Sequence, residues 1–199
     1  MRISRNYTVD DWRQLRFTSE TDWECGVAMF EDRIETRYLE HMRSLLPRQT
    51  SGFAILALGS TLIETLEQFR RGKQKTPQRQ GKAYFVSFLT QTAFAKHFDP
   101  DLARLFYETI RCGLLHQSEA GGASRIKRGD GRPLVAYTVD YSGIVINARR
   151  FHELLEQVVG DYAAQLRRPE STSARQAFRR KMNYICRVEE KEPDSEDVV

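Results

Sequence analysis

Cysteine is scarce in this 199-residue chain, with only Cys25, Cys112 and Cys186. Three scattered thiols give neither a disulfide framework nor a four-cysteine zinc site, and they point to a reducing cytoplasm. Long apolar runs are missing too: the longest, Phe53 to Ile63, already contains Gly59, Ser60 and Thr61 and is too short for a membrane span. The opening Met1-Arg2-Ile3-Ser4-Arg5-Asn6 lacks the apolar core of a secretory signal. No Gly-rich loop precedes a Lys-Ser or Lys-Thr pair, and Gly129-Asp130-Gly131 lacks the third glycine of a dinucleotide fingerprint. Neither His-Glu-x-x-His nor Gly-x-Ser-x-Gly occurs. Of four histidines, His41, His97 and His152 fall in helical segments without a second ligand at metal spacing. The expectation is a chain with no cofactor and no metal.

What is present is enough for a folded domain: 40% hydrophobic and 11% aromatic residues, too apolar for a disordered chain. Charge is unevenly spread. Glu189 to Val199 holds six acids against Lys191, and without that tail the body has 30 basic and 21 acidic residues, a net +9. Arg70, Arg71, Lys73, Lys75, Arg79 and Lys82 follow one another without an acid. Further clusters are Arg125, Lys127, Arg128 and Arg132, and Arg175, Arg179, Arg180 and Lys181. Such surfaces concentrate polyanions, or serve as a solvated arginine-rich face. The acidic tail either solubilises the chain or mimics a polyanion on the basic face.

Periodicity organises the chain into an irregular lead-in (1–23), a helical domain (24–168), and a C-terminal helix with the acidic tail (169–199). Val27, Phe30, Ile34, Tyr38, Met42 and Leu45 step by three and four, predicting a helix over 24–46 closed by Pro47. Thr50 or Ser51 can cap the next helix, which runs to about Arg71 with Gly72 as its stop, and its all-round apolar first half makes it the most central. A third covers about 82–97. Asp99 and Pro100 start a fourth, which carries Leu102, Leu105, Phe106, Ile110 and Leu114. Val135, Tyr137, Val139 and Tyr141 then alternate with less apolar residues between turn signals, predicting a small antiparallel sheet near 124–146. Asn147 caps a strongly amphipathic helix ended by Pro169, and a last helix covers about 173–185. The fold class expected is all-α with one β insertion.

The fourth histidine closes the segment Leu105-Phe106-Tyr107-Glu108-Thr109-Ile110-Arg111-Cys112-Gly113-Leu114-Leu115-His116-Gln117. Arg111 and His116, five positions apart at the end of an apolar helix, resemble the signature of the HEPN superfamily (higher eukaryotes and prokaryotes nucleotide-binding). The Tyr-Glu pair, Ile-Arg-Cys, two leucines and histidine are similar to many prokaryotic members, and the resemblance covers about residues 24–168. It implies an up-and-down bundle of about five to six helices, a homodimer, and a metal-independent endoribonuclease of a toxin–antitoxin, abortive-infection or CRISPR system. Arg111 and His116 would then be catalytic, supported by Glu64, Tyr107, Glu108 and Cys112. Arg70, Arg71, Lys73, Lys75 and Arg104 would hold the RNA backbone, and a cognate antitoxin protein would be a partner. Other members have lost catalysis, and the fold then serves as a non-catalytic RNA- or protein-binding module. The sequence departs from the pattern at Cys112, where a small polar residue often follows the arginine, and at Ser118, where some toxin members carry tyrosine.

The spacing has its own consequence. Five residues turn an ideal helix by about 500°, which leaves the two side chains about 140° apart in direction and about 7.5 Å apart along the axis. They meet at one atom only if the helix ends between them, which Gly113 favours, or if two copies share residues across a two-fold axis. A neutral imidazole can take a proton from an RNA 2′-hydroxyl or protonate the leaving 5′-oxygen, and a guanidinium can hold the phosphate. DNA lacks that hydroxyl. On the residues alone, Arg111 can also pair with Glu108 or Glu64 as a structural ion pair, and His116 can cap the last carbonyls. Cys112 and His116, four apart on one face, also admit a thiolate nucleophile.

Overall fold

Helix α4 (Gly52–Arg71) is the hub of the architecture, as its all-round apolar first half requires. In the computed structural model, which describes residues 1–129 and 131–188, it packs against α3 (Glu40–Leu45), α5 (Gly81–Gln91), α8 (Ala148–Arg167) and α9 (Thr172–Cys186). Ile55, Leu56, Leu62, Ile63, Leu66 and Phe69 of α4 are buried. Gly59 sets how close α8 comes, since a Cβ there would lie 2.5 Å from Phe151 Cε1. The helix stops at Gly72, whose φ of +61° lets Lys73 N–H return to the Gln68 carbonyl at 2.9 Å. No helix among the described residues is long and apolar enough to cross a membrane. The acidic segment from Glu189 and the turn residue Asp130 lie outside the described residues.

Two long helical runs each contain one wide turn in which N–H groups reach back five residues instead of four. α2 (Glu20–Ile34) passes through the wide turn Glu35–Leu39 into α3. α6 (Pro100–Leu105), capped by Asp99 accepting from Leu102 N–H at 2.7 Å, passes through Phe106–Arg111 into α7 (Cys112–Gln117). The 82–97 run instead divides into α5 and a tighter turn, Ala93–Lys96. The break is at Thr92, whose hydroxyl donates to the Phe88 carbonyl at 2.8 Å.

Residues 1–23 are not an irregular lead-in. Thr8 and Asp11 form a reciprocal cap for α1 (Val9–Gln14), and Ser19 caps α2, which begins at Glu20 and not at Glu24. Trp12 is 1% exposed, donates through Nε1 to Asn183 Oδ1 at 2.9 Å, and lies against Phe178 of α9. α1 and α9 thus close on one another, and the core continues from one to the other.

The β insertion is mixed, not antiparallel throughout. Strand order is β1 (Arg125–Lys127), β3 (Ile144–Asn147), β2 (Val135–Tyr137), with β1 parallel and β2 antiparallel to β3. β3 holds Ile144 and Ile146, both fully buried, so it takes the centre and the two less buried strands flank it. The alternation seen through Tyr141 ends structurally at Tyr137. Asp140 accepts from Thr138 Oγ1 and Ser142 Oγ, both at 2.6 Å, and folds 138–143 into a turn with Val139 fully exposed. Those bonds, Ser142's first, hold the Asp140 carboxyl down to about 2.

The candidate Arg111 groove

The helix that carries Arg111 starts where the sequence signals it, but its geometry at Arg111 is set by tertiary contacts. In the wide turn, the Thr109 carbonyl accepts from Gly121 N–H at 2.6 Å. The Ser124 hydroxyl donates to Thr109 Oγ1 at 2.8 Å and accepts from Ile144 N–H at 3.1 Å. The β insertion therefore clamps the turn from outside. Such wide turns recur at functional sites because they re-aim one side chain without breaking the helix.

Arg111 points to α4. Its Nη2 lies 3.2 Å from Glu64 Oε2, and its guanidinium carbon stands 5.4 Å from the Tyr107 ring centre and 6.0 Å from that of Phe85. The Arg111 side chain is 19% exposed and that of Glu64 26%, so both are desolvated on one side and open on the other. Burial raises the Tyr107 phenol above its ordinary value, opposed by the neighbouring Arg111 charge. Glu108 does not pair with Arg111. It faces Lys82, whose Nζ donates to Oε1 at 2.6 Å and is thereby held above its usual ammonium value.

Ser60, Thr61, Glu64, Thr65, Gln68, Arg111 and Leu115 line an open groove of about 340 Å³ along α4. Arg111 and Leu115 face it together as an i, i+4 pair, and Leu115 is 46% exposed. His116 comes one position later, exposed and not among the residues that line the groove, with no hydrogen bond or ion pair among the described residues. It does not cap the helix: Ser118, at φ +56°, returns its N–H to the Gly113 carbonyl. Nor does the helix end between Arg111 and His116, because α7 is continuous to Gln117. Gly113 has another purpose. A Cβ there would stand 2.3 Å from the Glu119 carbonyl oxygen, so glycine is what lets the 118–121 turn fold over the helix. One chain therefore does not bring Arg111 and His116 to one point. Cys112 is half-buried beside Tyr107 and has no hydrogen bond to His116 among the described residues.

The basic residues divide. Arg70 and Arg71 are engaged by Glu67, a 1% exposed carboxylate, at 2.5 and 2.6 Å, and Arg71 also covers the Tyr84 ring. They neutralise a buried charge before they can meet a phosphate. Arg104 pairs with Asp101. Lys73, Lys75 and Arg79 are exposed on the loop after α4. Sequence reading missed what joins this loop to the groove. Gln68, a groove residue, donates to Thr76 Oγ1 at 2.9 Å and accepts from Lys181 Nζ at 2.7 Å. Lys181 also donates to the Gln74 carbonyl at 2.6 Å. Burial, then the nearby Arg33 charge, push the Lys181 ammonium down to about 8. Its place in the cluster 175–181 was the only signal available, and it read as surface. Comparison of the chain with known protein families, curated proteins and solved structures gave no match.

Proposed function

We propose that this chain is a HEPN-like, metal-independent endoribonuclease, acting as a homodimer in which Arg111 of one copy and His116 of the other meet at one phosphodiester. One observation carries the reading. A half-desolvated guanidinium with a single carboxylate contact lies in an open groove, one of whose lining residues, Gln68, donates to Thr76 of the loop that carries exposed cations. From Ser60 to Gln68 the groove wall formed by α4 is about 12 Å long, the span of about three to four nucleotides at the ~3.4 Å rise of one strand. The Thr61 and Thr65 hydroxyls, which already donate to the Ala57 and Thr61 carbonyls, keep acceptor lone pairs for the hydroxyls of a sugar.

The chemistry follows from the two residue types. His116, solvent-facing, takes the 2′-hydroxyl proton as that oxygen attacks the adjacent phosphorus, and an imidazolium returns a proton to the departing 5′-oxygen. Arg111 holds the non-bridging oxygens and meets the charge that grows on them. Because α7 is continuous, the approach of the two groups falls to a second copy. A toxin or defence effector with a cognate antitoxin belongs to the same proposal. The Arg111–Glu64 contact favours a second reading, a non-catalytic RNA- or protein-binding module of the same fold.

Incubation of the purified chain with generic single-stranded RNA in EDTA separates the two. The nuclease should produce fragments ending in 2′,3′-cyclic phosphate and leave the matching DNA intact; binding without cleavage would establish the module. Salt tests the loop. For the triple variant Lys73→Ala, Lys75→Ala, Arg79→Ala, the slope of log affinity against log salt should be shallower by about 2, at about 0.7 per phosphate on single strands. An unchanged slope would make the loop a solvated surface.

A further inference from the structure

Opposite in character to the Arg111 groove is a second one, of about 570 Å³, between the wide turn Glu35–Leu39 and α8. Its floor is apolar, formed by Leu39 and Val159, which are 6% and 5% exposed. Its rim is acidic: Glu31, Asp32, Glu35 and Glu156 line it against a single lining cation, Arg43. Arg43 already lies across two of these carboxylates, reaching Glu35 at 2.8 Å and Glu156 at 2.6 Å, so the rim has the spacing that a guanidinium fits. Arg167 takes Glu31 but is shared with Glu24, and acids remain in excess in a chain that is otherwise basic.

Two further features bear on the groove. His152 is 1% exposed in its side chain, neither ring nitrogen has a hydrogen-bond partner, and Nε2 stands 3.4 Å from Glu156 Oε1. An unpartnered buried polar group is unfavourable, and here it faces a carboxylate of the groove. Arg43 reaches that same Oε1 through Nε and Nη2, so with a proton on Nε2 His152 can take over Oε1 once Arg43 yields to an incoming cation. Gly160, eight residues after His152 in the interior of α8, also lines the groove, and a Cβ there would meet nothing within 4 Å. Glycine inside a helix is unfavourable relative to alanine. No atom among the described residues occupies the space that it leaves.

We infer that this groove is a docking site for an arginine- or lysine-bearing segment of another protein, the aliphatic stem lying on Leu39, Val159 and Gly160 and the cationic head between Glu35 and Glu156. Apolar floor and acidic rim match the two halves of such a side chain. The inference stands apart from the nuclease reading, since no residue of the Arg111 groove takes part.

The test is fluorescence anisotropy of the full chain with a fluorescein-labelled peptide of alternating arginine and glycine, beside a glutamine–glycine control. Saturable binding of the arginine peptide alone is expected. It should weaken at least tenfold in the double variant Glu35→Gln, Glu156→Gln, and disappear in Gly160→Leu, whose melting temperature should equal or exceed that of the parent. No saturable binding would overturn the proposal, as would binding that survives Gly160→Leu, which would mean diffuse attraction to surface acids. Self-association of the parent chain abolished by Gly160→Leu would name a second copy as occupant and overturn the assignment to another protein.

Discussion

Replacing His116 by alanine should reduce RNA cleavage by about 10² to 10⁴, the usual effect of removing a general acid or base, while the fold and most RNA affinity persist. His116 is exposed with no partner among the described residues, so its loss removes proton transfer without leaving a cavity. Arg111→Ala should abolish cleavage too but also weaken binding, because a phosphate contact exists before the transition state and strengthens within it. Arg111→Lys should restore only part of the activity, since an ammonium cannot make the bidentate contact. Neither single variant leaves a complete site if the two residues come from different copies, but a mixture does. Combining Arg111→Ala and His116→Ala chains under exchange should therefore recover part of the activity, in proportion to the heterodimer formed. Full activity of His116→Ala would move the chemistry elsewhere. Failure of mixing to restore any activity, with exchange verified, would rule out the shared site.

Trp12→Ala should destabilise the protein by about 3 to 5 kcal/mol, the range for deleting a buried large aromatic side chain. The indole is 1% exposed, its ring centre lies 4.9 Å from that of Phe17 and 5.8 Å from that of Phe178, and it pairs with Asn183. Truncation therefore leaves both a cavity and an unpaired, largely buried amide. Trp12→Phe keeps most of the volume and should lose about 1 to 2 kcal/mol, largely the hydrogen bond and its unpaired partner. Urea unfolding, with the slope compared among variants, reads both values. A loss below about 1 kcal/mol for Trp12→Ala would return the first residues to the status of a lead-in.

Local signals were enough for most of the helices. Asp99-Pro100, Asn147 and Gly72 punctuate the chain where the structure does, because caps and stops depend on a few neighbouring atoms. The centrality of α4 followed from its unbroken apolar character, and the Arg111–His116 divergence from helical pitch alone. The lead-in was misread because α1 has only six residues, too few for a period to show. The wide turns were equally hidden: one extra residue in a turn leaves the i, i+3 and i, i+4 apolar steps around it intact. The strand alternation ran past Tyr137 because side-chain periodicity cannot report the Asp140 clamp that bends the backbone.

Burial of a charge, and partner choice between distant charges, belonged to the tertiary structure. Composition made Arg70 and Arg71 equal to Lys73 and Lys75, yet a buried Glu67 engages the first two and leaves the others to solvent. Glu64 and Glu108 were equal candidates for Arg111 until the packing of α5 carried Lys82 to Glu108 and left Arg111 to Glu64 on α4. The chain by itself determined most of the helical segments from Ser51 onward and which residue types are able to move a proton or hold a phosphate. Only the fold decided that Glu67 is buried and which distant charges neutralise one another, because ion pairing acts over a few ångströms in space, here between residues such as Glu64 and Arg111 that stand tens of positions apart in sequence.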